Sequence, residues 1–384
     1  ARFDTLLRVG KRAEYKHPLY ADSHRTALTL FIVVRTLAGH LKRPEETMKI
    51  EAGPLELVAT VLPRVTNACV AQDGTLICGF PRWQDDFIHP AVAEIRNGSH
   101  AHSLLPAHWD QWRPGQPADQ ALVSVHALHI DAHNQLWILD DGCPKLGETV
   151  PGGPKVIQFD LDERRVVRIY PLAAPATRST SILSHLRADE KNIYVTDAGF
   201  GALVIIDRDT GAARRVLDGN PKTQADPSIV PIINGKPYKS AHGKVATLHL
   251  SHLEISGDGR WLYFCPLFGP KLQRLPMASL RDPDKDSAAL ADEIEFICNI
   301  PPVAGIHAVD EESILLCAAT DGAILHLDAQ RRLTPVVTDE RICFPNEGGF
   351  SPDRRSFYFP NSAARLKSID SDSTQDHERT ELRP

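Results

Sequence analysis

Residues Leu122 to Leu172 read LVSVHALHIDAHNQLWILDDGCPKLGETVPGGPKVIQFDLDERRVVRIYPL. Runs of four to eight residues that are rich in Val, Ile and aromatic residues and bounded by Gly, Asn, Asp and Pro are typical of β-strands. This segment has four such runs with turn residues between them, namely Val123 to Ile130, Leu136 to Leu139, Val156 to Phe159 and Val166 to Tyr170. Four strands in succession predict an antiparallel meander that forms one sheet.

The same pattern recurs along the chain. The run around Tyr194 matches the run around Trp137, and the turn after it matches the Asp140-Asp141-Gly142 turn. The aligned second strands define six units spaced roughly forty to seventy residues apart, at Leu76, Trp137, Tyr194, Tyr263, Leu316 and Tyr358. Repeats of four strands at about this spacing are typical of a β-propeller, in which neighbouring sheets bury each other's faces. We therefore predict an all-β fold, a six-bladed β-propeller with an N-terminal extension.

The repeat also sets the predicted domain limits. The six units place the propeller at residues 57–369, and residues 1–56, which do not match the repeat, are expected to form an extension packed on it. The sixth unit runs out of chain after three strands, so Leu57 to Leu62 are the candidate outer strand that closes the ring. Residues 370–384 are nearly all polar, which predicts a frayed C-terminal tail.

Composition excludes several classes of protein. The chain has 384 residues, 42% of them apolar and 24% charged, with a formal net charge of −6. These values are typical of a globular protein and lack the basic excess of a nucleic-acid binder. The longest apolar run, Leu28 to Val34, is too short to span a bilayer. The sequence begins at Ala1 without a signal-like segment, which leaves its compartment open.

Two further features restrict the chemistry. The seven cysteines are odd in number and have no C-x-x-C spacing, which favours buried free thiols over a zinc module or a disulfide framework. The sequence has no G-x-S-x-G nucleophile elbow, no P-loop and no dinucleotide fingerprint. We therefore expect no nucleotide cofactor.

An ordered series of motifs resembles a known family. The series is Leu136 to Gly142 (LWILDDG), Pro154 to Leu161 (PKVIQFDL), Tyr194 to Asp197 (YVTD) and Ile255 to Tyr263 (ISGDGRWLY). In this order the motifs resemble the major royal jelly protein/yellow family and its bacterial relatives, and the resemblance covers about residues 57–369. It implies a six-bladed propeller that is distantly similar to the gluconolactonase and senescence-marker-protein lactonases. Several of those lactonases bind a divalent cation on the propeller axis.

The resemblance also implies where the site lies. In such folds ligands bind at one end of the central channel, where the innermost strand of each blade begins. The corresponding positions here include Thr66-Asn67 and Asn346-Glu347, and four other units place a histidine there: His126, His185, His252 and His307. We interpret these histidines as equivalent positions of successive blades, which favours a shared functional site over four unrelated polar residues.

The predicted ligand set departs from that of the relatives. Related bacterial sequences carry an Asp-Gly pair at the start of the fourth and fifth blades, where this chain has Ser251-His252 and Ala304-Gly305. Oxygen ligands favour calcium, whereas imidazoles favour zinc, iron or copper. We predict a possible divalent metal, calcium, zinc or iron, with His185, His252 and Glu347 as its ligands or as catalytic acid/base groups.

The other axial residues are predicted to bind the ligand: Asn67, His126, Asp197, His307 and Asn346. Each also has an ordinary structural alternative. The two asparagine amides could bind a cation or a substrate, or cap turns, and Asp197 ends a strand before a Gly-rich loop as a turn residue often does. Asp141, in the Asp140-Asp141-Gly142 sequence, is better interpreted as a turn residue than as a site residue.

Two classes of function follow. The first is an enzyme that acts on a small polar molecule, by lactonase-like hydrolysis or ring closure or by tautomerisation, with His185, His252 and Glu347 as catalytic residues. The alternative is a non-catalytic, small-ligand-binding propeller of the yellow type, with aromatic pocket walls and no metal. A third interpretation, an iron centre like that of carotenoid-cleaving oxygenases, is weaker because those proteins have seven blades.

Overall fold

Antiparallel β-strands make up nearly all the regular structure in the computed structural model, which describes residues 29–35, 38–39, 50–51, 55–61, 65–82, 90–230, 232–233, 236–237 and 247–361. The strands in chain order are β1 (Thr29–Arg35), β2 (Ala38–Gly39), β3 (Ile50–Glu51), β4 (Leu55–Val61), β5 (Asn67–Val70), β6 (Leu76–Gly79), β7 (Val92–Arg96), β8 (His100–Ser103), β9 (Val125–Ile130), β10 (Gln135–Asp140), β11 (Lys155–Asp160), β12 (Arg165–Pro171), β13 (Leu183–Ala188), β14 (Asn192–Asp197), β15 (Ala202–Asp207), β16 (Ala213–Val216), β17 (Ile232–Ile233), β18 (Lys236–Pro237), β19 (Leu250–Ile255), β20 (Trp261–Pro266), β21 (Lys271–Pro276), β22 (Glu295–Asn299), β23 (Val303–Ala308), β24 (Ile314–Ala318), β25 (Ala323–Leu327), β26 (Leu333–Thr338), β27 (Gly349–Phe350) and β28 (Ser356–Asn361). Two short α-helices, α1 (Met277–Arg281) and α2 (Ser287–Asp292), connect β21 to β22. No helix among the described residues has both the length and the apolar character needed to cross a membrane.

Five blades are each built from four strands that follow one another in the chain. Blade 1 is β5–β8, blade 2 is β9–β12, blade 3 is β13–β16, blade 4 is β19–β22 and blade 5 is β23–β26. The first strands of successive blades contact one another, so they line the centre of the molecule. The predicted all-β propeller is therefore confirmed.

The remaining four-stranded sheet, here called the composite sheet, draws on both ends of the described chain. Its strand order is β27-β28-β1-β4. Six blades were predicted, and the structure has five blades of consecutive strands with the composite sheet where the sixth unit was expected. The edge strand β4 covers most of Leu57 to Leu62, the predicted outer strand. Strand β1 pairs with both β4 and β28, and its place in this sheet was not predicted because β28 lies at the far end of the described chain.

Most of the predicted N-terminal extension, residues 1–56, lies outside the described residues, as do residues 362–384, which include the predicted polar tail. The domain limits at residues 57 and 369 therefore stay predictions. All seven cysteines are free, and five of them are buried, as expected for an unlinked core.

Alternation along each strand explains how the sheets pack. In β10, Leu136 and Ile138 belong to the apolar cluster shared with blade 1, whereas Trp137 and Leu139 belong to the cluster shared with blade 3. Successive side chains of a strand point to opposite faces, so a strand buried on both faces must be apolar throughout. Similar clusters lie between blades 3 and 4 and between blades 4 and 5, and the composite sheet packs against blade 5 on one face and blade 1 on the other.

A core substitution in β10 tests this packing. Ile138 is fully buried, so Ile138→Ala should lower the free energy of unfolding by about 2–5 kcal/mol, through lost transfer energy and the cavity left behind. The measurement is chemical denaturation followed by far-UV circular dichroism. Val167→Ala in the exposed outer strand of the same blade is the matched control and should stay within about 0.5 kcal/mol of the parent. Equal effects of the two substitutions would contradict the packing described.

Candidate functional site

A cavity lies where the first strands of the blades begin. The cavity volume is about 50 Å³. One water molecule needs roughly 10–15 Å³ on the same measure, so the cavity has room for several. Its polar lining comes from blades 1 to 4 and from the segment before β27, and includes Asn67, His126, His185, His252 and Glu347. The apolar residues of the lining, here called the apolar wall, include Ile182, Ala198, Leu248, Leu267 and Ala304.

The first strand of each of blades 2 to 5 begins with a β-bulge. The pairing register skips a residue in β9, β13 and β19 and two residues in β23, namely His126, Ser184, Ser251 and Ala304-Gly305. A bulge leaves its extra residue unpaired and turns the neighbouring side chains. The bulges of β9, β13 and β19 therefore accompany the polar residues that line the cavity, whereas the bulge of β23 contributes Ala304.

The register corrects one inference from the sequence. His185 and His252 are equivalent, since each directly follows the bulged serine of its strand. His126 is itself the bulged residue, whereas His307 lies four residues after Val303, at the position that Arg187 and Glu254 occupy in their blades. The four histidines are thus not at one equivalent position. Counting from strand starts could not reveal this, because the offset depends on pairing with the second strand.

Arg187 is the central polar residue of the channel. Its guanidinium donates to both carboxylate oxygens of Glu254, at 3.0 and 2.9 Å, and to Glu347 Oε1 at 2.5 Å. It also donates to the carbonyl oxygens of Leu186 at 2.8 Å and Ile306 at 3.4 Å. Burial acts to lower the pKa of Arg187, but the two carboxylates outweigh burial and raise that pKa above its ordinary value. Arg187 therefore stays charged and joins three blades to the segment before the composite sheet.

The predicted metal ligands do come together. His185 and Glu347 are buried and His252 is half-buried, and each offers one ligand atom such that the three atoms lie within 4.8 Å of one another. Nε2 of His185 lies 2.8 Å from Glu347 Oε1. Burial lowers the pKa of His252 to about 3 and that of His185 well below its ordinary value. Both imidazoles are therefore neutral near pH 7, as metal ligands must be.

Several buried polar atoms at this point have no hydrogen-bond partner. They are Nδ1 of His185, both ring nitrogens of His252, Oε2 of Glu347 and Oδ1 of Asn67. Buried polar groups are normally satisfied, and leaving one unsatisfied costs about 1–3 kcal/mol. Unsatisfied atoms that converge on one cavity are consistent with a site for an ion or a polar ligand.

Asn67 connects blade 1 to this site. Asn67 lines the cavity, and its Nδ2 donates to the carbonyl oxygen of His126 at 2.6 Å, which fixes the side chain. Its backbone forms a parallel bridge with Glu347. An added Cβ at Gly79 would lie 2.8 Å from Asn67 Oδ1, so glycine at that position makes room for the amide.

Two other predicted ligand-binding residues lie beside the cavity. His307 is buried behind Glu347, with Nε2 at 3.6 Å from Oε2, and burial lowers the pKa of His307 to about 3. Asn346 lines the cavity, and its Nδ2 donates to the carbonyl oxygen of Phe344 at 3.2 Å.

The structure does not bring Asp197 into the cavity lining. Its carboxylate accepts hydrogen bonds from Ser181, from the backbone of Ile182 and Gly199, and from Arg215. These contacts fix a loop of blade 3, so the predicted ligand-binding role is replaced by the turn role that was its alternative.

Two residues of the channel were missed from the sequence. Arg187 and Glu254 stand two residues after His185 and His252, in the matching segments Ser184 to Arg187 (SHLR) and Ser251 to Glu254 (SHLE). The signal was a charged residue at the same offset in two apolar strands. Such a charge is normally solvent-exposed, and only the channel shows that these two are paired across blades.

The sequence of the chain matches known proteins. A family model described as "Major royal jelly protein" matches residues 123–340, more than half of the chain. Protein yellow of Drosophila pseudoobscura pseudoobscura is 28% identical over 117 residues, and protein yellow of Drosophila guanche is 27% identical over 117 residues. Each alignment covers 28% of this chain and 20% of the relative, so the chain spans about a fifth of the length of the curated relatives it matches.

Solved structures show a weaker likeness. Virginiamycin B lyase from Staphylococcus aureus has a TM-score of 0.43 at 12% identity, covering 80% of this chain and 85% of the lyase. An auxiliary nutrient binding protein from Bacteroides thetaiotaomicron has a TM-score of 0.47 at 9% identity, covering 88% of this chain and 75% of that protein. These values carry no statement about the ligand or reaction of this chain.

Removal of the central guanidinium tests the channel network. Arg187→Met should lower the free energy of unfolding by about 3–5 kcal/mol, because two buried carboxylates lose their counter-charge. The same substitution at Arg165, whose pair with Glu163 is exposed, is the control and should have little effect. Urea titrations of both variants give the comparison. An Arg187→Met protein as stable as the parent would show that the network does not hold the channel together.

Proposed function

The chain belongs to the major royal jelly protein family, and we propose that its axial cavity is the active site of a small-molecule enzyme. The proposed reaction is lactonase-like hydrolysis or ring closure, or tautomerisation, assisted by a divalent metal ion on His185, His252 and Glu347. The observation that carries this proposal is the convergence of buried ligand atoms without hydrogen-bond partners on one cavity. The family resemblance in the sequence is confirmed by the family match.

The ligand atoms and the net charge of these residues both fit a metal ion. Two neutral imidazoles and a carboxylate suit zinc or iron better than calcium, which prefers oxygen ligands. Arg187 faces two buried carboxylates, Glu254 and Glu347, so the formal charge of the three groups together is negative and favours a cation. A divalent ion bound there would polarise a substrate carbonyl and promote ionisation of water.

The protein's own residues would hold and orient the substrate. The Asn67 amide oxygen is buried and without a partner, so it would accept a hydrogen bond from a substrate hydroxyl. Arg187 donates a hydrogen bond to Oε1 of Glu347 and so positions the carboxylate. The other oxygen, Oε2, has no hydrogen-bond partner. The apolar wall that includes Ile182 and Leu248 would contact the carbon skeleton and exclude water. The preferred substrate is therefore a small molecule with a polar edge and an apolar face.

The composite sheet is part of this proposal, because we infer that it closes the ring as a sixth blade. Glu347 lies in the segment just before β27, and its carbonyl oxygen accepts a hydrogen bond from Ala68 of blade 1 at 3.1 Å. The composite sheet also packs against both blade 5 and blade 1. This closure would place Glu347 beside His185. A crystal structure with an open gap between blades 5 and 1 would refute it.

A non-catalytic ligand carrier is the second candidate, and its supporting observation is the apolar wall. Such a carrier is expected to have aromatic pocket walls, whereas the lining among the described residues has no Phe, Tyr or Trp. The geometry therefore favours the enzyme. A carrier would bind small molecules without turnover and would not need a metal.

Elemental analysis is the direct test of the metal site. Untagged protein purified without chelator or added metal should contain about one equivalent of zinc or iron by plasma mass spectrometry. His252→Ala and Glu347→Gln should each retain less than about a tenth of it, because each removes one of three protein ligands. His249→Ala is the matched control, since His249 lies outside the cluster, and should keep the metal. Metal-free parent protein would refute the metal site.

Turnover distinguishes an enzyme from a carrier. The metal-loaded protein should hydrolyse lactones such as δ-gluconolactone or dihydrocoumarin, and chelation should abolish the activity until metal is restored. His252→Ala should be inactive on each lactone that the parent cleaves. Binding of these compounds without turnover, in a protein that contains no metal, would support the carrier instead.

Gly305 provides a subtler test. A Cβ at this position would lie 2.9 Å from Glu347 Oε2 and 3.1 Å from His307 Nε2. Gly305→Ala should therefore displace the carboxylate and weaken metal binding by about tenfold or more, while the far-UV circular dichroism spectrum stays unchanged. Competition with a fluorescent chelator measures the affinity. Unchanged affinity in Gly305→Ala would place the ion away from Oε2.

A further inference from the structure

His126 and Asp141 form a pair at the cavity wall. Nδ1 of His126 lies 3.1 Å from Oδ2 of Asp141, whose side chain is fully buried. The histidine lines the cavity from the bulged position of β9, and its carbonyl oxygen accepts the hydrogen bond from Asn67. The pair therefore belongs to the same cavity as the cluster of His185, His252 and Glu347, but contributes none of its three ligand atoms.

Asp141 is fixed by its loop. Its Oδ1 accepts a hydrogen bond from the backbone of Cys143 at 2.9 Å, and its own N–H donates to the carbonyl oxygen of Ser124 at 3.0 Å. The neighbouring Asp140 carboxylate pairs with Lys155, whereas Oδ2 of Asp141 faces Nδ1 of His126. A buried carboxylate aimed at one imidazole nitrogen keeps the proton on that nitrogen. The lone pair of a neutral His126 is then on Nε2.

His126 is more exposed than two of the other channel histidines, His185 and His307. Its side chain is 13% exposed, compared with 2% for His185 and 5% for His307. A group that exchanges protons with a substrate must be reachable from the cavity, whereas a metal ligand need not be. His126 therefore combines access from the cavity with an orientation set by Asp141.

We propose that His126 is the proton-transfer residue of this site and that Asp141 is its positioning residue. This inference rests on the proposed function, in which a small molecule reacts in the axial cavity. In lactone hydrolysis, Nε2 of His126 takes a proton from water as the water oxygen bonds to the carbonyl carbon. The ring C–O bond then breaks, and the imidazolium returns the proton to the departing alkoxide oxygen. Lactone and water thus give a hydroxy acid, with no other reactant.

Chemical modification tests the pair without a substrate. Diethyl pyrocarbonate acylates the nitrogen lone pair of neutral imidazole, and peptide mass spectrometry locates the adduct. His126 should be acylated in the parent, and Asp141→Asn should slow that acylation by about tenfold or more, because the tautomer is no longer held. His133, exposed in a turn of the same blade, is the internal control and should react equally in both proteins. An unreactive His126, or an equal rate in Asp141→Asn, would overturn the inference.

Kinetics test the role in the reaction. With a lactone that the parent cleaves, His126→Ala should lose about 10²–10⁴-fold in kcat with little change in KM, and added imidazole should restore part of the rate. The loss of kcat in Asp141→Asn should be smaller than the loss in His126→Ala. Both variants should keep the parent's metal content, which separates them from His252→Ala, and His133→Ala should be as active as the parent. Full activity of His126→Ala would overturn this inference and leave the proposed function standing.

Failure of the proposed function can be distinguished from failure of the inference about His126 and Asp141. If the parent contains no metal and cleaves no lactone, the proposed function fails. The acylation experiment then still decides whether Asp141 orients His126.

Discussion

The guanidinium of Arg187 is the interaction on which both the channel and the site depend. Its Nε and Nη2 groups donate to the side chain of Glu254 in blade 4, to a carbonyl in blade 5 and to Glu347 before the composite sheet. A buried charge is costly unless its hydrogen bonds are satisfied, and the planar, bidentate contact with Glu254 meets that condition. The contacts therefore fix how these sheets are placed around the axis. They also hold the carboxylate that faces His185.

The same network accounts for the electrostatics of the cavity. Burial lowers the pKa values of His185 and His252, so these histidines add no positive charge near pH 7. Burial also raises the pKa of Glu254, although its contact with Arg187 acts in the opposite direction. One cation between two carboxylates leaves a site that attracts positive charge, and the apolar wall lowers the local dielectric and strengthens this attraction.

Bulges give this propeller a means of placing different chemistry on one scaffold. The bulged residue is a histidine in blade 2, a serine in blades 3 and 4, and Ala304 with Gly305 in blade 5. The strands behind these residues pack by the same alternation of apolar side chains in every blade. Substitution at the bulge thus changes the site with little effect on the core, and the fold alone does not specify the function.

Alternating apolar runs and residues at strand starts are local features, so the repeat, the propeller and the nearness of His185, His252 and Glu347 could be predicted from the sequence. The depth of each histidine, the link from Arg187 to Glu254 and the pairing of Asp141 with His126 were decided only by the tertiary structure. So were the turn role of Asp197 and the position of β1 in the composite sheet. The reason is physical: a strand's register and the partner of a buried charge depend on residues distant in the chain, and one skipped residue turns a side chain from one face to the other.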